Sequence, residues 1–174
     1  MKHGKFTRKR SKIGNAVAEL PFAIWFFIIC LCFPILGFIT LGYRCTLIYF
    51  AVKDSCYQAS KASDFGSAQT IAKTILQKDA AAWNGVKVPP NDPQVSIVVR
   101  KLSTGVETES GSAIPPNSIN PSANMYLIRI RTVATIDPIV NMGTTGFWTG
   151  IPGLTGSFNI PFLYQNYAEN PNGL

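Results

Sequence analysis

The pattern of apolar and polar positions changes twice along this chain. From Leu20 to Tyr43 there are 24 residues without a charge. Apolar side chains there point all round any helix they form, so no polar face is left for water. At about 1.5 Å per residue the run is roughly 36 Å long, enough to cross a hydrocarbon core of about 30 Å. Pro21, Pro34, Gly37 and Gly42 interrupt it, and kinks are expected where a proline removes a backbone donor. Beyond Tyr43 the period becomes that of an amphipathic helix. Leu47, Ile48, Ala51, Val52, Ala59, Ala62 and Ser63 form a small and apolar stripe. Such a stripe suits close packing against a neighbouring helix or, equally, against the chain's own domain. Asp64-Phe65-Gly66 breaks this helix, and Asp64 or Ser67 is placed to cap another carrying Ala68, Ile71, Ala72, Ile75 and Leu76. Trp83-Asn84-Gly85 and the prolines at 89, 90 and 93 end the helical region.

From Gln94 the residue types become those of β-strands. Gln94–Leu102 is rich in β-branched residues, and Thr104-Gly105 supplies a turn into Val106–Glu109. A polar loop covers 110–124. Met125–Ile136 alternates as a half-buried strand, with Arg129 and Arg131 on one face and Leu127 apart from them. A Gly/Thr loop with Phe147 and Trp148 spans 142–156, and Ser157–Ala168 returns as an edge strand, because Pro161 cannot donate to a ladder. Helices followed by strands predict an α+β fold: a long N-terminal transmembrane helix, its helical continuation, and a small antiparallel β-sheet domain. The organisation read from this is a basic leader at 1–14, the spanning helix and its continuation at 15–62, and an α+β domain at 63–174.

Charge changes the picture next. The net charge of +7 suggests a nucleic-acid binder, yet six of the sixteen Lys and Arg precede Asn15. That leaves ten basic against nine acidic side chains, a balance of +1 that offers no footprint for phosphates. By the positive-inside rule the basic leader stays in the cytoplasm, and the chain from about residue 44 is exported. A cleaved secretory signal would have a shorter apolar region followed by a small-residue site, and RCTLIYFAVKD after the run supplies none.

Catalytic chemistry has little support. The sole histidine, His3, lies in the leader. The glycines at 143, 146, 150, 153 and 156 follow no phosphate-loop pattern, and Glu107 and Glu109 on one strand face read as solvated surface. Cys30 and Cys32 lie inside the apolar run, while Cys45 and Cys56 are about 16 Å apart along one helix and cannot bridge within it. No cofactor or metal is implied, and the expectation is a structural part and not an enzyme. The aromatics Phe147, Trp148, Tyr164 and Tyr167 are expected mainly in the core, with a partner-binding surface as the other option.

One junction carries more. RKRSKIG is followed by NAVAE and then by the apolar run, so a glycine closes a basic patch and Glu19 lies five residues beyond it. This RKRSKIGNAVAELPFAIWFF opening, with the Ala/Ser-rich YQASKAS beyond the membrane, resembles the TadE/TadG-like minor pilins (pseudopilins) of tight-adherence pilus systems. The motif support covers about residues 8–62. The chain departs from the pattern at Leu20, which follows the carboxylate where an aromatic is often found, and at the early Pro21. The resemblance implies a processing site at Gly14 and Asn15, cut by a prepilin peptidase. It implies that Glu19 sets subunit register by pairing with the new amine of a neighbour. Partners would be other pilins, Tad membrane assembly components and the lipid bilayer of the inner membrane, with no nucleic acid. An uncleaved single-pass anchor presenting a binding domain, or a type II secretion pseudopilin, remain as alternatives.

Overall fold

The computed structural model describes residues 12–139, 150, 151, 153 and 155–174. The leader before Lys12 and most of the 142–156 loop, including Phe147 and Trp148, therefore lie outside the described residues.

One helical rod opens the fold. It comprises α1 (Lys12–Phe27), a π-helical turn (Ile28–Cys32) and α2 (Phe33–Ala59). The turn has a local cause. Pro34 has no N–H to give to the Cys30 carbonyl, and its ring would crowd that oxygen. The helix widens just before it, so that the Phe33 N–H reaches back to the Ile28 carbonyl. The span from Glu19 to Ala59 contains a helix long and apolar enough to cross a membrane.

α2 ends at Ala59, five residues before the predicted breaker. Asp64 then adopts an extended conformation and caps α3 (Phe65–Ala81), accepting from the Ser67 N–H at 2.8 Å. The Ser67 and Ser63 hydroxyls add further hydrogen bonds, and the Ser67 contacts above all hold the Asp64 carboxyl below its usual value. α3 buries Phe65, Ala68, Ala72, Leu76 and Ala80. α2 buries Ala51, Ser55 and Ala59, and the Ser55 hydroxyl donates to the Ala72 carbonyl of α3 at 2.9 Å. Side chains this small let the two axes approach closely.

The sheet is antiparallel. It contains β1 (Val86–Lys87), β2 (Gln94–Lys101), β3 (Glu107–Ser110), β4 (Asn124–Ile136) and β5 (Phe158–Tyr167). β4 is its axis. β5 flanks one side from Leu127↔Tyr167 to Ile136↔Phe158, and β2 and then β1 share the other side. β3 pairs with the outer side of β2. The register leaves a gap on β4 between Arg131, opposite Gln94, and Thr135, opposite Lys87. Asp92 fills it, its Oδ2 accepting from the Val133 N–H at 3.0 Å and from the Thr132 hydroxyl at 2.9 Å. β5 is an edge strand, as Pro161 requires.

α2 and α3 cover one face of this sheet. The core joins Ile48, Val52, Cys56, Ala72 and Leu76 to Val95, Ile97, Tyr126, Ile128, Ile130 and Ala134. The stripe on the continuation of the first helix therefore packs on its own domain at Ile48, Ala51, Val52, Ala59 and Ala62, whereas Ser63 is exposed. Leu127 corrects the strand reading: it shares the outer face with Arg129 and Arg131 and is buried there between Val98 and Tyr167. Tyr164 packs against the core and meets Tyr49 edge to face, while Tyr167 is exposed on the outer face.

Two methyl-bearing positions on β4 test this layering. Ile128→Ala, at the helix-facing centre, is expected to lower the unfolding free energy by about 2–5 kcal/mol. Val133→Ala, on the outer face, should cost about 0.5 kcal/mol or less. Urea titration of the detergent-solubilised protein measures both, and equal losses would contradict a main core on the helix-facing side of β4.

Candidate functional site in the first helix and its collar

Gly14 and Asn15 are the third and fourth residues of α1 and have helical backbone. Glu19 stands one turn beyond Asn15 and is exposed. It is the only charged residue between Lys12 and Arg44. Most of the large apolar side chains that follow it find little cover from the rest of the described chain. Leu20, Phe22, Trp25, Phe26, Leu36, Ile39 and Tyr43 are among those exposed, from 57% to 77%. A soluble monomer rarely exposes a continuous apolar surface on this scale, so lipid or other chains must cover it.

Where the apolar run ends, a polar collar begins. Arg44 is the first charge, and its guanidinium lies across Gly85 and donates to the Asp137 carbonyl. A Cβ at Gly85 would stand 2.5 Å from the Arg44 Cζ, and the backbone there has φ +80°, so glycine serves twice. The Asp137 carboxylate receives the Ser157 hydroxyl at 2.5 Å and the Lys87 ammonium at 2.9 Å. These bonds, Ser157 first and Lys87 next, hold its carboxyl below the usual range. The collar thus ties α2 to the turn before β1, to β1, and to both ends of the β4–β5 connection. Nothing in the periodicity of the sequence announces these long-range contacts.

The acids at 107 and 109 form a second cluster, on the outer face of the sheet. Arg129 donates to Glu107 at 2.8 Å, to Glu109 at 2.9 Å and to Gln165 at 2.8 Å. Arg131 lies 2.6 Å from Glu109, and the Ser96 hydroxyl donates to the same carboxylate at 2.6 Å. The cluster spans four strands, from β3 to β5. Beside it lies an open cavity of about 480 Å³, lined by Asp92, Gln94, Arg131, Val133, Pro161 and Leu163 among others. Its two charged groups are already engaged, Asp92 by the β4 gap and Arg131 by Glu109. The arrangement therefore serves cross-strand cohesion better than substrate chemistry.

The cysteines are separate from one another. Cys30, Cys32 and Cys45 are half-buried along the rod, and Cys56 is buried in the core with its thiol 3.3 Å from the Ile128 carbonyl oxygen. No family model matches the chain, and no curated protein or solved structure matches it either.

The outer-face cluster carries a pH signature. The Ser96 hydroxyl foremost, then Arg131 and Arg129, hold the Glu109 carboxyl below its usual value of 4.5 against the opposing effect of burial. Its stabilisation is therefore complete above about pH 4.5 and is lost as the pH falls through the lowered folded value. Thermal unfolding of the wild type and of Glu109→Gln should differ at pH 7 and converge in acid. A gap that is constant with pH would show that the ion pairs contribute nothing.

Proposed function

We propose that the protein is a membrane-anchored structural subunit of the TadE/TadG-like minor pilin kind. Residues before the span face the cytoplasm, and the domain from about residue 44 is exported. The orientation follows from six basic side chains ahead of the span with no acid among them. A prepilin peptidase cuts after Gly14, and the helix with Glu19 then joins the subunit to other pilins.

The observation that carries this reading is the division of labour along one rod. Its first half leaves apolar side chains uncovered and holds one acid at the end of the span, while its second half is the spine of an α+β domain. A carboxylate at the membrane edge is costly unless paired. Cleavage after Gly14 would create an amine one helical turn from Glu19. Pairing that amine with Glu19 of a neighbouring copy would offset the two subunits by about 6 Å along the axis. Among the described residues, neither the domain nor the collar brings together a constellation that the chemistry of a hydrolase or transferase would need, and the reading requires none.

Intact mass and N-terminal sequencing from membranes test it, with and without the peptidase. The expected start is Asn15 only when the peptidase is present, and Gly14→Ala should abolish that shift. Glu19→Ala should still be cut but fail to enter assemblies. A chain that starts at Met1 in both strains would overturn the pilin route and leave an uncleaved anchor.

A further inference from the structure

The side of α2 turned away from the core has a period of its own. The residues that α2 buries, Ile48, Ala51, Val52, Ser55 and Ala59 among them, lie along one side of the helix. At about 100° per residue, Leu36, Ile39, Tyr43, Thr46, Phe50, Lys53 and Tyr57 fall on the opposite side, and every one of them is exposed. Their spacing alternates between three and four residues throughout. That is the repeat of about 3.5 residues found where two helices wind around each other. Leu36, Tyr43, Phe50 and Tyr57 take the first position of successive heptads, and Ile39, Thr46 and Lys53 the fourth.

Lipid can cover the start of this seam but not its end. Tyr57 lies 13 residues past Arg44, roughly 20 Å along the axis, whereas the headgroup layer is about 5–8 Å deep. The chain's own core is on the far side of the helix, and Phe50 and Tyr57 remain 55% and 44% exposed. Between their rings is an open hollow of about 290 Å³, lined by Phe50, Lys53, Asp54 and Tyr57. Residues at i, i+3, i+4 and i+7 are the four that frame a hole on one helix for a single side chain of a parallel neighbour. The side chain that enters such a hole comes from the fourth position of the facing heptad. In a second copy at the same height, that residue is Lys53.

Charge fits the same occupant. Neither Lys53 nor Asp54 takes part in an ion pair among the described residues. Asp54 does have an acidic neighbour in Asp79 of α3, whose carboxyl is raised first by burial and then by Asp54. A cation brought to Asp54 relieves that repulsion, and the methylenes of a lysine cover the aromatic rings on the way in. A bilayer also holds every copy in one orientation and at one depth, so two seams meet in register.

We propose that two copies of this chain pair in parallel along Leu36–Tyr57, each placing its Lys53 in the hollow of the other, against Asp54. The pairing rests on the reading that Leu20–Tyr43 spans the membrane and does not need cleavage after Gly14. It makes the exported half of the rod an interface in its own right, beyond any contact made inside the lipid.

The test uses the purified full chain in phosphatidylcholine–phosphatidylglycerol vesicles, with Cys30, Cys32 and Cys45 replaced by alanine and the buried Cys56 kept. Cysteines are introduced singly on the seam as Phe50→Cys and Tyr57→Cys, and off it as Lys73→Cys and Thr104→Cys, all at exposed positions. On mild oxidation, disulfide-linked dimer should form several-fold more readily at 50 and 57 than at 73 and 104. Lys53→Asp and Asp54→Lys should each lower the yield at 50 several-fold, and the two together should restore it. Equal yields on and off the seam, or a double variant no better than the single ones, would overturn this inference alone, provided the chain resists extraction by alkaline carbonate. Release of the chain by carbonate would overturn the spanning reading beneath it.

Discussion

A single helix in this protein has to satisfy two surroundings, and the rest of the fold is arranged around the point where one gives way to the other. Up to Tyr43 the rod has no polar face, and the rest of the described chain leaves most of its large apolar side chains exposed. From Ile48 the same helix becomes one-sided, burying Ile48, Ala51, Val52, Ser55, Cys56 and Ala59 at helical spacing. Everything beyond depends on that buried side. α3 docks on its small residues, the sheet closes over its aliphatic ones, and Cys56 reaches the backbone of β4. Taking away the second half of the rod would leave β4 without cover on its core face.

The first half meets a different demand. A proline inside a spanning helix strands a carbonyl in a medium that offers no hydrogen bonds. The π-helical turn ahead of Pro34 relaxes the crowding by letting Phe33 bond one residue further back. The rod thus continues as one element without a break in the span.

Much of this architecture was legible in the residues. The uncharged run, the Asp64 cap, the 3.6-residue spacing of α3, the β-branched run of β2 and the alternation of β4 are local signals, and each of these elements formed within a few residues of its expected bounds. What stayed hidden is non-local. β1 has two residues and no period to detect, and it exists because β4 outruns β2 and leaves Thr135 and Ile136 to be paired. Asp92 looked like part of a proline-rich loop, but its role is fixed by a gap in a distant ladder. Leu127 alternates with Arg129 in the same phase, yet burial by Val98 and Tyr167 makes it behave as a core residue on the outer face. Of the candidate site, Gly14, Asn15 and Glu19 were visible as a motif, whereas the collar around Arg44 depends on contacts across as many as 93 residues of sequence.

The collar also explains why arginine suits position 44. A guanidinium is flat and offers several donors, so it can lie over the bare backbone at Gly85 while one N–H reaches the Asp137 carbonyl. A lysine ammonium has no flat face to lay against that turn. Because Asp137 also gathers Lys87 and Ser157, the end of β4, the start of β5 and the helix are fixed by one carboxylate and one carbonyl of the same residue. The charge that ends the apolar run is therefore spent inside the protein, and the sheet is held at a set height above whatever medium surrounds Leu20–Tyr43.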